Sequence, residues 1–180
     1  SVLQQKESKM KRSFVLIVLS CCLFACNSKS EQRIAAEQIA DAEHSLLQDA
    51  KAIDPSRADS LVSLYTNYAN TYPDDTMAAA YLYRAADVMA NRKECLKAVE
   101  LLEKVETKYP QSDYAPQACF LKGVIYQEVC LNKEKAAECF NKFIAAYPNS
   151  PLVNDARGLL ILNKAEDELE LIHSWKKENQ

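Results

Sequence analysis

The chain has 180 residues, of which 48% are apolar and 26% are charged, values ordinary for one globular domain and unlike those of a disordered chain or a polytopic membrane protein. It contains only two glycines, which excludes glycine-rich phosphate-binding loops and dinucleotide folds and disfavours sheets with many tight turns. Two histidines are too few for a histidine-rich metal centre. Composition therefore favours an all-helical protein that needs no cofactor.

Residues 10–25 have the pattern of an export signal peptide. Met10–Arg12 form a basic start, and the apolar run 14–23 is too short to cross a bilayer as a stable span. We therefore expect this segment to be a targeting signal rather than part of the folded domain. Residues 1–9 are then expected to be an extension upstream of the natural start.

The end of the apolar run, Leu23-Phe24-Ala25-Cys26, resembles the lipobox of bacterial lipoproteins, in which cleavage before the cysteine leaves that cysteine lipidated. The resemblance implies a lipid anchor in the membrane through Cys26, and several acyl chains make such an anchor effectively permanent. A second match ends at Cys21 but shortens the apolar run to about seven residues. The alternatives are an ordinary secretory signal cut near Ala25 and an uncleaved anchor. Residues 26–30 would form a short tether.

Removal of the signal makes the chain acidic. Residues before Cys26 hold four of the 22 basic and one of the 25 acidic residues, which leaves 18 basic and 24 acidic residues and a net charge of −6. Nucleic acid and anionic headgroups are therefore poor partners for the folded body.

Three Tyr-Pro motifs recur in the remaining chain. Their prolines, Pro73, Pro110 and Pro148, are 37 and 38 positions apart, a spacing typical of stacked repeats. Proline cannot continue a helix, and it also pushes the preceding residue out of the helical region. Each motif is therefore predicted to end one helix and turn the chain.

A common apolar pattern precedes these prolines. A small residue stands twelve positions before Pro148, at Ala136, and large apolar residues stand eight and five positions before it, at Phe140 and Phe143. The spacings of four and three place the three side chains on one face of a helix. The same offsets before Pro110 again select one small and two large apolar residues, and those before Pro73 keep the large residues only.

The third unit resembles a tetratricopeptide repeat, a pair of helices 34 residues long, here lengthened by three or four. The resemblance rests on Gly123, Tyr126, Ala136, Phe140 and Pro148. A glycine within a helix costs roughly 1 kcal/mol relative to alanine, so Gly123 is predicted to mark a tight helix crossing.

We expect an all-α fold, a right-handed superhelical stack of antiparallel helix pairs of the tetratricopeptide type, with about three pairs and a C-terminal capping helix. It would fill residues 31–176, followed by a tail at 177–180. The predicted helices are Glu31–Ala52, Ser56–Tyr72, Thr76–Ala90, Arg92–Tyr109, Tyr114–Cys130, Lys133–Tyr147 and a last helix that begins at Ser150-Pro151 and runs to about Lys176.

The last helix is predicted to bury one stripe and to expose its acidic residues. The stripe consists of Leu162, Ala165, Leu169 and Ile172. The acidic residues 166–168 and Glu170 are interpreted as a solvated face rather than a binding tract.

Two longer stretches, residues 109–118 and 140–151, carry a more specific resemblance. They are similar to the outer-membrane tetratricopeptide lipoproteins, a family that includes BamD of the barrel-assembly machinery and the periplasmic repeat protein associated with the Tol-Pal system. The similarity covers about residues 58–163. Lys122 stands where the repeat usually has an apolar residue, and we expect its stem to lie along the core edge with the ammonium in water.

The sequence offers no recognisable catalytic or metal-binding motif. His44 and His173 are interpreted as surface residues, and no serine-nucleophile elbow occurs. Among the four cysteines beyond Cys26, Cys130 and Cys139 are the best candidates for a disulfide, since they are predicted to lie near one turn. The favoured interpretation is four small buried side chains without a disulfide.

The family resemblance implies that the first helix of each pair lines a concave groove. Counted along the repeats, the residues that would face it are Tyr83, Arg84, Asp87, Gln117, Phe120, Leu121, Val124 and Gln127. Tyr83, Phe120 and Leu121 would anchor an extended peptide. Arg84 and Asp87 would set its orientation. The alternative for each aromatic residue is packing against the next unit.

These observations predict a non-enzymatic adaptor, lipid-anchored in the bacterial outer membrane and facing the periplasm. Its partner would be an envelope protein or a peptide segment in the groove, and no nucleic acid or small-molecule substrate is expected. Barrel assembly or envelope maintenance is implied by the resemblance. One alternative is a structural protein that self-assembles through its last helix, with Leu171 and Trp175 in the seam, and another is an accessory subunit of an envelope enzyme.

Overall fold

The structure is a computed structural model, in which residues 29–46 and 55–178 are described. All regular elements within these ranges are helices. Residues 29–46 form α1, which belongs to a first unit, residues 1–53. The second unit, residues 54–180, contains α2 (Pro55–Thr71), α3 (Met77–Asn91), α4 (Cys95–Lys108), α5 (Tyr114–Glu128), α6 (Lys133–Ala146) and α7 (Val153–Glu178).

Helices α2 to α7 pack in chain order, each against the next, and α3 also contacts α5. This arrangement confirms the predicted tetratricopeptide-like stack. Pro73, Pro110 and Pro148 each lie between two helices, as their chemistry predicts. The predicted first helix, Glu31–Ala52, extends past residue 46 into residues outside the described ranges.

The turns within the second and third pairs use a left-handed backbone at residues that are not glycine. Lys93 has φ 62° and Leu131 has φ 53°, at equivalent positions of the two units. This conformation costs of order 1 kcal/mol or more for a residue with a Cβ. It also places the start of α4 at Cys95 rather than at the predicted Arg92, because Lys93 cannot belong to a right-handed helix.

The predicted apolar face is confirmed in the core. Ala136, Phe140 and Phe143 are fully buried, and Phe143 and Phe140 belong to one cluster with residues of α5 and α7. Gly123 marks a close helix crossing, as predicted, because a Cβ at this position would lie 2.5 Å from Cε1 of Phe140. The ring of Phe140 therefore occupies the space of the missing side chain.

Helix α7 buries a different stripe from the predicted one. Val153, Ala156 and Asn163 are buried, whereas Leu162 is 49% exposed and Leu169 is 56% exposed. The buried positions lie on nearly the opposite face of the helix from the predicted stripe, about 170° around the helix axis at roughly 100° per residue. At 26 residues, about 39 Å, α7 is also nearly twice as long as the 14-residue α6 on which it packs.

Both cysteine predictions, a disulfide between Cys130 and Cys139 and four buried cysteines without a disulfide, are wrong. Cys95 and Cys130 form a disulfide, with their Cα atoms 5.4 Å apart, while Cys119 and Cys139 are free and buried. Because α4 and α5 are antiparallel, the start of α4 lies beside the end of α5. Cys130 therefore meets Cys95 of the preceding pair rather than Cys139, which faces the core within α6.

Lys122 is buried, which corrects the expectation that its ammonium reaches water. Its Nζ pairs with Glu106 of α4, and Nζ of Lys142 on α6 lies 3.1 Å from the other oxygen of the same carboxylate. We call Glu106, Lys122 and Lys142 the ionic cluster. Burial by itself raises the pKa of Glu106, but the hydrogen bonds and charges of the two lysines outweigh it and hold this pKa below its ordinary value.

Candidate functional site

A cleft of about 780 Å³ opens between α5 and the turn that joins α6 to α7, with Tyr83 of α3 at one side. Its walls come from α3, from the start and middle of α5, and from the turn between α6 and α7. The residues that line it are Tyr83, Asp113, Pro116, Gln117, Phe120, Leu121, Ala146, Tyr147, Pro148, Asn149, Ser150, Pro151 and Leu152. We call this space the docking cleft.

The aromatic floor of the docking cleft is continuous with the core. The ring of Phe120 lies 5.8 Å from that of Phe140 and 5.5 Å from that of Phe143, and Tyr147 lies 5.7 Å from Phe143, all between ring centroids. Phe120 and Tyr147 are half-buried, so each shows one side to the cleft. The floor is therefore held in place by packing that a ligand does not have to create.

Tyr83 forms the wall contributed by α3. Its ring packs against that of Tyr114 with centroids 5.5 Å apart. Burial, together with the negative charge of Asp87 and the neighbouring Tyr114, raises the pKa of the Tyr83 hydroxyl. The hydroxyl is thus neutral at physiological pH and acts only as a hydrogen-bonding group.

Among the residues that line the docking cleft, Asp113 is the one carboxylate, and no lysine, arginine or histidine occurs there. Asp113 is exposed and directly precedes α5. Three prolines, which lack a backbone N–H, border the same space. The cleft is therefore apolar with a single acidic corner.

Four of the eight predicted groove residues line this cleft. Tyr83, Gln117, Phe120 and Leu121 are brought together there. The half-buried Val124 packs against the core cluster instead.

The other three predicted groove residues make their contacts outside the cleft lining. Arg84 lies over the ring of Tyr81, 5.8 Å from its centroid. Asp87 accepts a hydrogen bond at 3.4 Å from Nδ2 of Asn91, and Gln127 donates one at 3.1 Å to Glu128.

The turn between α6 and α7 contributes cleft residues that sequence reasoning did not include. Tyr147, Pro148 and Leu152 belong to this turn or directly follow it. The Tyr-Pro motif was informative as a helix boundary, but a boundary rule does not show which cavity the turn borders. The recurrence of Tyr-Pro in each unit is the signal that could have identified Tyr147 and Pro148.

A smaller space of about 370 Å³ occupies the equivalent place one unit earlier. It is bordered by the turn at Pro73 and the turn at Pro110, and it contains Lys108 together with Asp74 and Asp75. We call it the polar cleft. The two spaces share their place in the repeat but differ in chemistry.

The described residues show no arrangement suited to catalysis by a metal or a thiol. No group of histidine, cysteine, aspartate or glutamate within them could hold a metal ion. Burial, with the charge and hydrogen bond of Glu106, raises the pKa of Cys119 to about 12, so its thiol stays protonated. His44 and His173 are exposed, as predicted.

No helix within the described ranges has the length and apolar composition required of a membrane span. Cys26 and the predicted signal at residues 10–25 lie outside the described residues.

The fold and the docking cleft define a helical-repeat protein of the tetratricopeptide type. Residues 73–179 match the family described as YfiO, outer membrane lipoprotein, and the chain belongs to this family. The match confirms the resemblance to outer-membrane tetratricopeptide lipoproteins that the Tyr-Pro motifs carried. A search among curated proteins finds no significant match.

Proposed function

We propose that this protein is an adaptor, lipid-anchored to the outer membrane through Cys26 and facing the periplasm, which holds an extended segment of another envelope protein in the docking cleft. It catalyses no reaction itself. The role within the envelope is outer-membrane protein assembly or envelope maintenance. Membership of an outer membrane lipoprotein family supports the location and the anchor.

The observation that carries the proposal is the preformed apolar cleft bounded by α5, the α6–α7 turn and Tyr83 of α3. A volume of about 780 Å³ is within the range of functional ligand sites, and its mostly apolar lining matches the side chains that anchor peptides. Phe120 and Leu121 are half-buried on the α5 side of this cleft. An extended segment laid there would bury them and gain the free energy of apolar burial.

Site-specific photo-crosslinking in intact cells tests this proposal. A photoreactive residue replaces Gln117, which is exposed and lines the cleft, and in a matched strain it replaces Glu138, which is exposed on α6. We expect discrete crosslinks to envelope proteins from position 117 and none of these from position 138. Leu121→Ala should weaken the position-117 crosslinks. Equal crosslinking from both positions would contradict the proposal.

The exposed face of α7 favours self-assembly as a second candidate function. Ile161 is 71% exposed, and Leu162, Leu169 and Ile172 are each about half exposed, at 49%, 56% and 49%. Leu162, Leu169 and Ile172 follow a spacing of seven and three, which suits a partner helix. The side chains of Leu171 and Trp175, named above for this seam, lie outside the described residues.

Light scattering separates this candidate from a monomeric adaptor. Leu169→Lys combined with Ile172→Lys should halve the mass of a self-assembled dimer, since two charges would enter the seam. A mass equal to one chain for both the native protein and the variant would rule out self-assembly through α7.

A further inference from the structure

The docking cleft combines an apolar floor with one uncompensated acidic corner. Asp113 is exposed at the rim, and the other ionisable groups that border the cleft are the neutral hydroxyls of Tyr83 and Tyr147, whose pKa burial raises. Arg84, the basic residue of the predicted groove, does not line it. The field at the rim is therefore negative, and its effect on a ligand charge is strengthened by the apolar surroundings.

The backbone on the α5 side offers little to an anion. A helix start ordinarily presents unbonded N–H groups that favour a negative charge. Here Ala115 donates its N–H to the carbonyl oxygen of Ser112 at 3.0 Å, and Pro116 has none to donate. The carboxylate of Asp113 lies at the start of α5, where it would repel a second negative charge.

The backbone on the α7 side is engaged in the same way. Pro151 has no N–H, Leu152 donates to Oγ of Ser150 at 3.4 Å, and Val153 donates to the carbonyl oxygen of Ser150 at 3.1 Å. A ligand carboxylate placed in the cleft would meet Asp113 at the start of α5 and the engaged N–H groups of Leu152 and Val153 on the α7 side.

We propose that the docking cleft selects an internal segment of a partner chain, in which an aromatic or large aliphatic residue stands beside a lysine or arginine, and rejects a chain end with a free carboxylate. The apolar residue would pack on Phe120 and Leu121, and the basic residue would pair with Asp113. This inference rests on the proposed function, because it names the chemistry of the ligand for the same cleft.

The polar cleft provides an internal comparison. The residue equivalent to Asp113 one unit earlier is Thr76, and Lys108 borders that space. A preference for basic segments is therefore not expected there. A change at Asp74, which also borders the polar cleft, is a matched control because it removes the same charge from the same kind of turn.

Fluorescence anisotropy with the full-length lipidated protein in detergent micelles tests the proposal. Four labelled peptides are compared: a central phenylalanine flanked by lysines, the same peptide flanked by glutamates, and a lysine peptide ending at the phenylalanine either as an amide or as a free acid. We expect the lysine-flanked peptide to bind about fivefold more tightly than the glutamate-flanked one, the scale of one partly exposed charge pair. The amide should bind more tightly than the acid.

Two variants locate the effect. Asp113→Asn should bring two affinity ratios close to one: that of the lysine-flanked over the glutamate-flanked peptide, and that of the amide over the acid. Asp74→Asn should leave both ratios unchanged. One outcome overturns the inference while the proposed function stands. In that outcome the peptides bind and Leu121→Ala weakens the binding of all of them, but the charge of the flanking residues has no effect on affinity. A preference abolished by Asp74→Asn instead also overturns the inference. If none of the peptides binds, or Leu121→Ala changes nothing, the proposed function itself fails for this cleft.

Discussion

Position 123 is occupied by glycine because Phe140 fills the space that a side chain would need. A Cβ there would lie 2.5 Å from one ring carbon and 2.7 Å from another. At Gly158, the other glycine of the chain, a Cβ would meet nothing within 4 Å. The same residue type thus has a packing reason at one position and none at the other.

The two glycines make a matched pair of predictions. Gly123→Ala should lower the free energy of unfolding by about 1–3 kcal/mol, because the fully buried ring of Phe140 must move within a packed core. Gly158→Ala should raise it by about 0.5–1 kcal/mol, because alanine has the higher helix propensity. Urea unfolding measures both. A loss of stability at Gly158, or none at Gly123, would contradict the packing described.

The ionic cluster makes Glu106 essential to stability. Glu106→Gln should cost about 3 kcal/mol, because the buried ammonium of Lys122 would lose its close counter-charge, while the more distant carboxylate of Glu103, 4.0 Å away, would remain. Glu100→Gln is the control: it lies on the same helix, pairs with Lys104 at 2.7 Å and is exposed, so no measurable change is expected. Chemical unfolding at pH 7 of the two variants and the native chain gives the comparison.

The cluster also predicts a dependence on pH. The folded pKa of Glu106 is below the ordinary value of 4.5, so its contribution to stability is fully present above that value and is lost as the pH falls through the folded pKa. The difference in unfolding free energy between the native chain and Glu106→Gln should therefore shrink on acidification below pH 4.5. A difference that stays constant from pH 7 to pH 3 would show that Glu106 is not the titrating group.

At the scale of the element, α7 departs most from a regular repeat helix. Its buried face ends at Asn163, whose side-chain amide has no hydrogen-bond partner among the described residues. Such a group costs about 1–3 kcal/mol when it is buried without a partner. The exposed aliphatic side chains lie on another face of the same helix.

Replacing Asn163 with leucine should therefore stabilise the protein by about 1–2 kcal/mol, since it replaces a buried, unpaired amide with an apolar side chain of the same branched shape. The midpoint of thermal unfolding should rise. Asn154→Leu, an exposed position at the start of the same helix, is the control and should change little. An unchanged midpoint for Asn163→Leu would indicate that the amide is hydrated.

Local rules predicted most of the elements, and tertiary contacts decided the rest. Proline chemistry placed the helix boundaries, and the spacing of Ala136, Phe140 and Phe143 identified the inner face. Helix α7 carries two apolar stripes, and only its packing against α6 determines which one is buried. The environment of Lys122 depends on Glu106, a residue sixteen positions earlier on another helix.

The candidate site was predictable to a similar extent. Helical spacing placed four of the eight groove residues in the docking cleft. Arg84 and Val124 fell outside it because the spacing does not show how far each helix tilts from its neighbour. Residues of the α6–α7 turn were missed because turns lack the periodicity on which the prediction depended.

At the scale of the whole molecule, the Cys95–Cys130 disulfide is the main covalent constraint among the described residues. It closes a segment with a sequence separation of 35, and in the chain-entropy model such a bond stabilises a protein by about 3–4 kcal/mol. The double variant Cys95→Ser, Cys130→Ser should lose this amount. A reducing agent should lower the stability of the native chain similarly and leave the variant unchanged.

Thiol titration of the denatured mature protein checks the same bond. Two reactive thiols, those of Cys119 and Cys139, are expected before reduction, and four after it. Four thiols before reduction would show that the bond does not form.

The position of the Cys95–Cys130 disulfide also affects how the docking cleft would bind a ligand. In a stacked-repeat protein each unit contacts only its neighbours. A groove that spans two units can therefore change its width when these units move relative to each other. Here the start of α4 is tied to the end of α5, which fastens the pair that carries Tyr83 to the pair that carries Phe120. The disulfide therefore restricts the relative movement of these two pairs, and a peptide that bound in the docking cleft, as proposed, would have to adapt its own conformation to the cleft.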